Sequence, residues 1–104
     1  MNIPTILTIA TLQLSEIHDA HPWIQANGAA LACAVATVES GRRDLEPYQD
    51  GNSKAFGIFG FHVERWEQLS RAHDWGKASE LRQVALFLRW AQVAPRHERN
   101  PKMA

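Results

Sequence analysis

Residues 28–41 read Gly-Ala-Ala-Leu-Ala-Cys-Ala-Val-Ala-Thr-Val-Glu-Ser-Gly, and Glu39 is the only charged side chain among them. One apolar stripe recurs at helical spacing, at Leu31, Ala34, Val35 and Val38. Most of the other positions are small and apolar, and a helix that is apolar all round is a buried one. The stretch therefore predicts a central helix that begins at Asn27 or Gly28 and ends at Ser40.

Three further helices are predicted around this one. Apolar side chains at helical spacing indicate one helix from Pro4 to His18 and another from His62 to His73. Ser79 suits the N-cap of a fourth helix, whose apolar positions run from Leu81 to Ala91. We expect residues 96–104 to form a frayed tail.

The segment from Arg42 to Ala55 differs in kind, because it is polar and has little apolar periodicity. Asp50-Gly51, between Tyr48-Gln49 and Asn52-Ser53, is typical of a β-hairpin or an extended loop. A chain of 104 residues has the length of one domain, so we expect a single domain over residues 1–104. Its predicted class is mainly α, a small α+β domain with a short β-hairpin after the central helix.

Composition excludes several classes of function. The chain has 11 Lys and Arg against 11 Asp and Glu, so it lacks the large basic face that a nucleic-acid binder needs, and we predict no nucleic-acid partner. Its long uncharged runs, Met1–Ser15 and Pro22–Val38, do not have the features of a signal peptide or a membrane span. Cys33 is the only cysteine, so no disulfide forms within the chain.

Glu39 is the first candidate for chemistry. It follows Val35 by four residues, which puts its carboxyl on or beside the apolar stripe of the central helix. Burial and a helix C-terminus both disfavour a negative charge, so we expect the pKa of the Glu39 carboxyl to be raised. A carboxylic acid that keeps its proton near neutral pH suits general-acid catalysis. In the alternative interpretation, Glu39 only marks the point where the helix reaches solvent.

The segments around Glu39 resemble the lysozyme-like superfamily, in particular the soluble lytic transglycosylases and the resuscitation-promoting-factor domains. Glu39-Ser40-Gly41 is similar to their Glu-Ser-Gly, and Ala55-Phe56-Gly57-Ile58-Phe59 is similar to their Ala-x-Gly-Leu-Phe. Trp66 falls where the resuscitation factors carry a tryptophan, and Glu80–Ala85 resembles their Arg-Glu-Gln-Gln helix. The resemblance covers about residues 25–92.

The resemblance implies cleavage of peptidoglycan at the β-1,4 link between N-acetylmuramic acid and N-acetylglucosamine, with Glu39 protonating the glycosidic oxygen. A lytic transglycosylase needs that one carboxylate, whereas a hydrolase needs a second, and we favour the single-acid route. The candidates for a second carboxylate are Asp50, Glu46 and Asp44. The expected substrate-binding residues are Ser40, Tyr48, Gln49, Phe61, Trp66, Gln83 and Phe87. No cofactor and no metal are expected.

Two positions depart from the transglycosylase pattern. Gly60 stands where that family has a glutamine, and Phe87 stands where a tyrosine is common. Both family residues lie in the substrate cleft, so the departures imply fewer polar contacts with sugar and an activity that is weak, retargeted or absent. The alternative function is therefore a catalytically impaired structural or glycan-binding component of a virion, a phage tail or another assembly.

Further alternatives rest on single features. His18 and His21, with His62 or His73, have a spacing that a metal site could use, but surface histidines are the favoured interpretation. The apolar stripe from Ile3 to Ile17 allows a helical adaptor. With no signal peptide seen, we expect action at the bacterial cell wall or periplasm after delivery by a phage tail or a secretion apparatus.

Overall fold

The computed structural model describes residues 3–17, 19–39, 47–50 and 53–93, and for 47–50 and Ser53 it describes the backbone alone. In these residues the elements follow in the order α1 (Ile3–Ser15), α2 (Pro22–Val38), β1 (Pro47–Asp50), β2 (Ser53–Phe56), β3 (Phe61–His62), α3 (Val63–Ser70) and α4 (Glu80–Val93). The prediction of a mainly α domain with a short hairpin after the central helix is confirmed. The predicted tail, 96–104, lies outside the described residues, and the single-domain boundaries stay a prediction.

The central helix α2 begins at Pro22, well before the predicted start at Asn27 or Gly28. Proline is tolerated at the first helical position, because its missing N–H would have no helical partner there. His21 caps the helix, with Nδ1 accepting a hydrogen bond from the Trp23 N–H at 3.1 Å. Pro22 therefore starts α2 as well as separating it from α1.

Helix α1 ends at Ser15, earlier than predicted, and its last carbonyls are bound by α2. The Gln25 side chain donates from Nε2 to the Ile17 carbonyl at 2.6 Å and to the Leu14 carbonyl at 3.3 Å. The Leu14 carbonyl also accepts from the Ile17 N–H at 3.1 Å, and Ile17 lies two residues beyond α1, so Gln25 binds the chain at the point where the helix ends. The end of α1 is thus fixed by a side chain that follows it in sequence.

The buried face of α2 shares only Leu31 with the predicted stripe. Val38 is 68% exposed, Ala34 is exposed and Val35 is half-buried. The face that α2 buries is formed by Ile24, Gly28, Leu31, Ala32 and Ala36. A Cβ built at Gly28 would lie 3.2 Å from Leu14 of α1 and 3.4 Å from Leu88 of α4, so the three helices converge at this glycine. Since α2 is apolar all round, its composition did not distinguish one face from another.

The three strands form an antiparallel sheet in the order β1-β2-β3. Asp50 of β1 pairs with Ser53 of β2, and Phe56 of β2 pairs with Phe61 of β3. The turn between β2 and β3 occupies residues 57–60, where Gly57 has a φ of 83° and Gly60 a φ of 65°. Only glycine adopts such angles without strain, so the two glycines permit the tight connection.

Helices α3 and α4 follow the sheet. α3 ends at Ser70, before the predicted His73, because Arg71 takes a left-handed φ of 57°. α4 begins at Glu80, and the predicted Ser79 cap is confirmed by a bond from the Arg82 N–H to the Ser79 hydroxyl at 3.2 Å. None of the helices in the described part of the chain is long and apolar enough to cross a membrane.

Candidate functional site

Glu39 lies at the C-terminal end of the central helix. α2 ends at Val38, and Glu39 is its C-cap, with φ −89° and ψ 19°. The Glu39 N–H donates to the Val35 carbonyl at 3.0 Å, which continues the helical hydrogen bonding to this residue. Its side chain is half-buried. Because residues four apart are neighbours along a helix, Glu39 and Val35 lie on the same side of α2.

A pocket of about 340 Å³ opens beside Val35, and we call it the aromatic pocket. Its described lining residues are Val35, Phe59, Gly60, Phe61, His62, Arg65, Phe87 and Trp90. They come from α2, the turn at 57–60, β3, α3 and α4. A concave, largely apolar cavity of this volume is typical of a small-ligand site.

Stacked rings form much of the pocket wall. Phe59 and Phe87 stack with their ring centroids 4.4 Å apart, and the Trp90 ring lies 5.3 Å from that of Phe87. Phe61 meets Phe59 edge to face at 6.3 Å. Such contacts hold each ring in one orientation, so the pocket is shaped by the core itself.

Gln83 holds the turn that carries Phe59. It is fully buried, and its Oε1 accepts a hydrogen bond from the Ile58 N–H at 2.9 Å. Its Nε2 donates to the Ala78 carbonyl at 3.2 Å. The turn is also pressed against this side chain, because a Cβ built at Gly57 would overlap the Gln83 amide. Gln83 thus joins the turn at 57–60 to the N-terminal part of α4.

Two of the expected substrate-binding residues lie in the aromatic pocket, and two do not reach a ligand site. Phe61 and Phe87 both line it, as does Gly60. Gln83 is instead a buried support for the turn, since both ends of its amide bind backbone. Trp66 is fully buried, and its Nε1 donates to Asp74 Oδ1 at 2.8 Å. Neither side chain is accessible in this structure, and contact of Gln83 or Trp66 with a substrate stays a prediction.

The remaining predicted site residues lie on β1 or outside the described residues. Tyr48, Gln49 and Asp50 lie on β1, for which only the backbone is described. The other three, Ser40, Asp44 and Glu46, lie outside the described residues. The second carboxylate, like the contacts of Ser40, Tyr48 and Gln49, stays a prediction.

Several residues that line the aromatic pocket were not predicted from the sequence. Trp90 follows Phe87 by three residues on α4, so helical spacing could have placed the two rings side by side. Phe59 belongs to the glycine motif and Val35 to the apolar stripe of α2, and neither pattern predicts a pocket. His62 and Arg65 carried no local signal, because their position depends on how β3 leads into α3.

His62 also lines a second pocket. This cavity of about 360 Å³ is bordered by Lys54, His62, Val63, Glu64 and Trp75. Trp75 is fixed there by a hydrogen bond from its Nε1 to the Phe61 carbonyl at 2.9 Å. His62 therefore separates two cavities of different character, one aromatic and one with charged side chains.

Away from the aromatic pocket, three ionisable groups of the described residues have shifted pKa values. The Arg82 guanidinium, with a smaller contribution from Trp66, holds the pKa of the Asp74 carboxyl below its usual range. The Glu67 carboxylate lies 2.8 Å from His73 Nδ1 and raises the pKa of that imidazole. Burial raises the pKa of the Cys33 thiol, as expected of a cysteine packed between helices.

The described residues contain no group of three or more His, Cys, Asp and Glu side chains that could hold a metal ion. His21 caps α2, and His73 pairs with Glu67. His18 lies outside the described residues.

No protein-family model matches the sequence, and no curated protein or solved structure is significantly similar to it.

Proposed function

We propose that this protein is a lysozyme-like glycosidase that cleaves the glycan strands of peptidoglycan, with Glu39 as its general acid. One observation carries the proposal: Glu39 ends the central helix one turn beyond Val35, and Val35 lines the aromatic pocket. A half-buried carboxyl at a helix C-terminus, one turn from a residue that lines a cavity, supports a role in proton donation to a bound ligand.

The order of elements along the chain supports the same proposal. Glu39 is followed by the β1–β2 hairpin, then by the glycine turn at 57–60, and then by α3 and α4. This is the order in which the resemblance to lytic transglycosylases places the acid, the polar hairpin and the glycine motif. The aromatic side chains Phe59, Phe61 and Trp90 offer flat apolar surface on which the faces of pyranose rings can pack.

In the proposed reaction, Glu39 donates its proton to the oxygen of the β-1,4 link as the bond from that oxygen to the muramic C1 breaks. The resulting carboxylate then takes the proton of the muramic C6 hydroxyl, whose oxygen attacks C1 and closes a 1,6-anhydro ring. This route needs a single carboxyl, whereas hydrolysis would use Asp50, Glu46 or Asp44 as a second. Delivery to the cell wall by a phage tail or a secretion apparatus is part of the proposal.

A second candidate is a protein that binds glycan without cleaving it. It is favoured by Gly60 and Phe87, which both line the aromatic pocket and replace polar residues of the transglycosylase pattern. The described lining of the pocket is mostly apolar, so it provides few hydrogen bonds for sugar hydroxyls. A site of this kind could hold an acetylated sugar through ring contacts alone.

The test compares wild type with Glu39→Gln and with the control Glu16→Gln, which changes an exposed carboxyl in the turn after α1. We expect wild type and the control to release soluble fragments from purified peptidoglycan, and Glu39→Gln to be slower by a factor of about 10²–10⁴. Melting curves verify that all three proteins are folded. Mass spectrometry of the fragments distinguishes anhydro ends from hydrolysed ends, which differ by one water.

The two candidates give different results. Equal rates for wild type and Glu39→Gln would rule out Glu39 as the acid. If wild type releases no fragments but co-sediments with peptidoglycan, the binding protein is the better description.

A further inference from the structure

The aromatic pocket combines an apolar wall with a cationic edge. Phe59, Phe87 and Trp90 provide the aromatic surface. His62 and Arg65 are the ionisable side chains among its described lining residues, and neither is acidic. The pocket should therefore prefer a negatively charged ligand. The apolar wall alone would give no such preference.

Arg65 has no charge partner within the described part of the chain: its guanidinium makes no ion pair and no hydrogen bond there. Arg82 shows the contrast, because it pairs with Asp74 and lies over the Trp66 ring. A guanidinium stays charged at every physiological pH, and its planar N–H groups match the geometry of a carboxylate. Arg65 can therefore bind an anion without first breaking an ion pair.

The size of the pocket restricts the ligand further. A volume of about 340 Å³ lies at the lower end of the range for small-molecule sites, roughly 300–1,000 Å³. One or two fused rings fit such a space, and a longer glycan would extend beyond it. Phe59 and Phe87 stack on each other and are only 7% and 2% exposed, so the half-buried Trp90 beside them offers the larger ring surface for a flat aromatic group.

We propose that the aromatic pocket binds a small aryl acid, with the ring against Phe59, Phe87 and Trp90 and the carboxylate on Arg65. This goes beyond the proposed glycan cleavage, since it requires neither Glu39 nor a sugar. His62 lies at the same edge and adds a second nitrogen-bearing ring to the anion's surroundings.

The test is isothermal titration calorimetry with two probes that share a ring and differ in charge, 2-naphthylacetate and 2-(2-naphthyl)ethylamine. We expect the acetate to bind wild type with a Kd of about 1 mM or tighter, and the amine to bind at least about tenfold more weakly. Arg65→Gln should weaken the acetate about fivefold and should not weaken the amine. Arg89→Gln is the matched control, because Arg89 is exposed on α4 and does not line the pocket.

Trp90→Leu tests the ring contact and should weaken both probes. Circular dichroism melting shows that each variant is folded. The proposal is overturned if the acetate does not bind at 5 mM, if the amine binds as tightly, if Arg65→Gln behaves like Arg89→Gln, or if Trp90→Leu has no effect. None of these results depends on cleavage of peptidoglycan, so failure of the two proposals can be told apart.

Discussion

The side-chain oxygen of Gln83 accepts a hydrogen bond from the backbone N–H of Ile58 at 2.9 Å. The two residues belong to different elements, α4 and the turn at 57–60, and the bond is fully buried. On the other side of the same amide, Nε2 binds the Ala78 carbonyl. One side chain therefore fixes the turn that carries Phe59 into the aromatic pocket and the segment that leads into α4.

Gln83→Leu should destabilise the protein strongly. Leucine has a similar size but leaves the Ile58 N–H and the Ala78 carbonyl buried without a partner, and each such group costs about 1–3 kcal/mol. We expect the free energy of unfolding, measured by urea denaturation, to fall by about 2–4 kcal/mol. The control is Gln68→Leu, an exposed position on α3, which should change stability by less than about 0.5 kcal/mol. Equal effects of the two substitutions would contradict a structural role for Gln83.

Gly57→Ala should cost more than the same change at Gly76. Both glycines have a φ of 83°, so alanine meets the same left-handed backbone penalty at each, about 1–2 kcal/mol. Gly57 is also buried against the Gln83 amide, where an added Cβ has no room. The difference in melting temperature between the two variants measures the cost of this steric overlap, because the backbone penalty is common to both. The close contact at Gly57 is thus with α4, the helix that carries Gln83.

Asp74→Asn should lower stability at neutral pH but hardly at all in acid. The pKa of Asp74 is lowered by Arg82, so its charge stabilises the fold above the ordinary carboxyl pKa near 3.8. That stabilisation disappears as the pH falls through the lowered pKa. Since the side chain is 33% exposed, we expect about 0.5–1 kcal/mol at pH 7, measured by urea denaturation. Asparagine keeps the acceptor for Trp66, and the exposed Asp19→Asn serves as the control. A loss that is the same at pH 7 and pH 2.5 would show that charge is not its cause.

The imidazole of His73 should titrate at a higher pH in wild type than in Glu67→Gln. Glu67 stabilises the protonated ring, which raises its pKa, so the ion pair is complete below the ordinary histidine pKa and is lost as the pH rises through the raised one. The measurement is the NMR chemical shift of the ring protons against pH. Glu64→Gln, a change of a second carboxyl on α3, should leave the midpoint of His73 where it is in wild type.

Local signals predicted much of the fold. The Ser79 hydroxyl caps α4 through a bond to a residue three positions on, and Asp50-Gly51 marks the hairpin between β1 and β2. Such contacts are made within a few residues, so the sequence contains both partners side by side. The buried face of α2 was predicted only at Leu31, because its small apolar side chains fit either orientation and the choice is made by Leu14 and Leu88 of other helices.

The candidate site was predicted only in part for a similar reason. Phe61 and Phe87 were among the expected substrate-binding residues, and both line the aromatic pocket. A glutamine near a helix start reads as a polar surface residue, but Gln83 is buried because its partner, the Ile58 N–H, lies 25 residues away in the chain. The burial of Trp66 was not predicted for the same reason. Its hydrogen bond to Asp74 depends on the path of the chain between α3 and α4.

The convergence of three helices at Gly28 also sets an order for folding. Leu14 and Ile24, which contact this glycine, belong to α1 and α2, but the third contact, Leu88, belongs to α4. During synthesis the pair α1–α2 therefore leaves the ribosome with one apolar face uncovered, and it stays so until α4 has been translated. Closing that contact joins residues far apart in sequence, which makes it slow relative to helix formation. We expect the nascent chain to remain partly assembled, and open to chaperones, until its last described helix emerges.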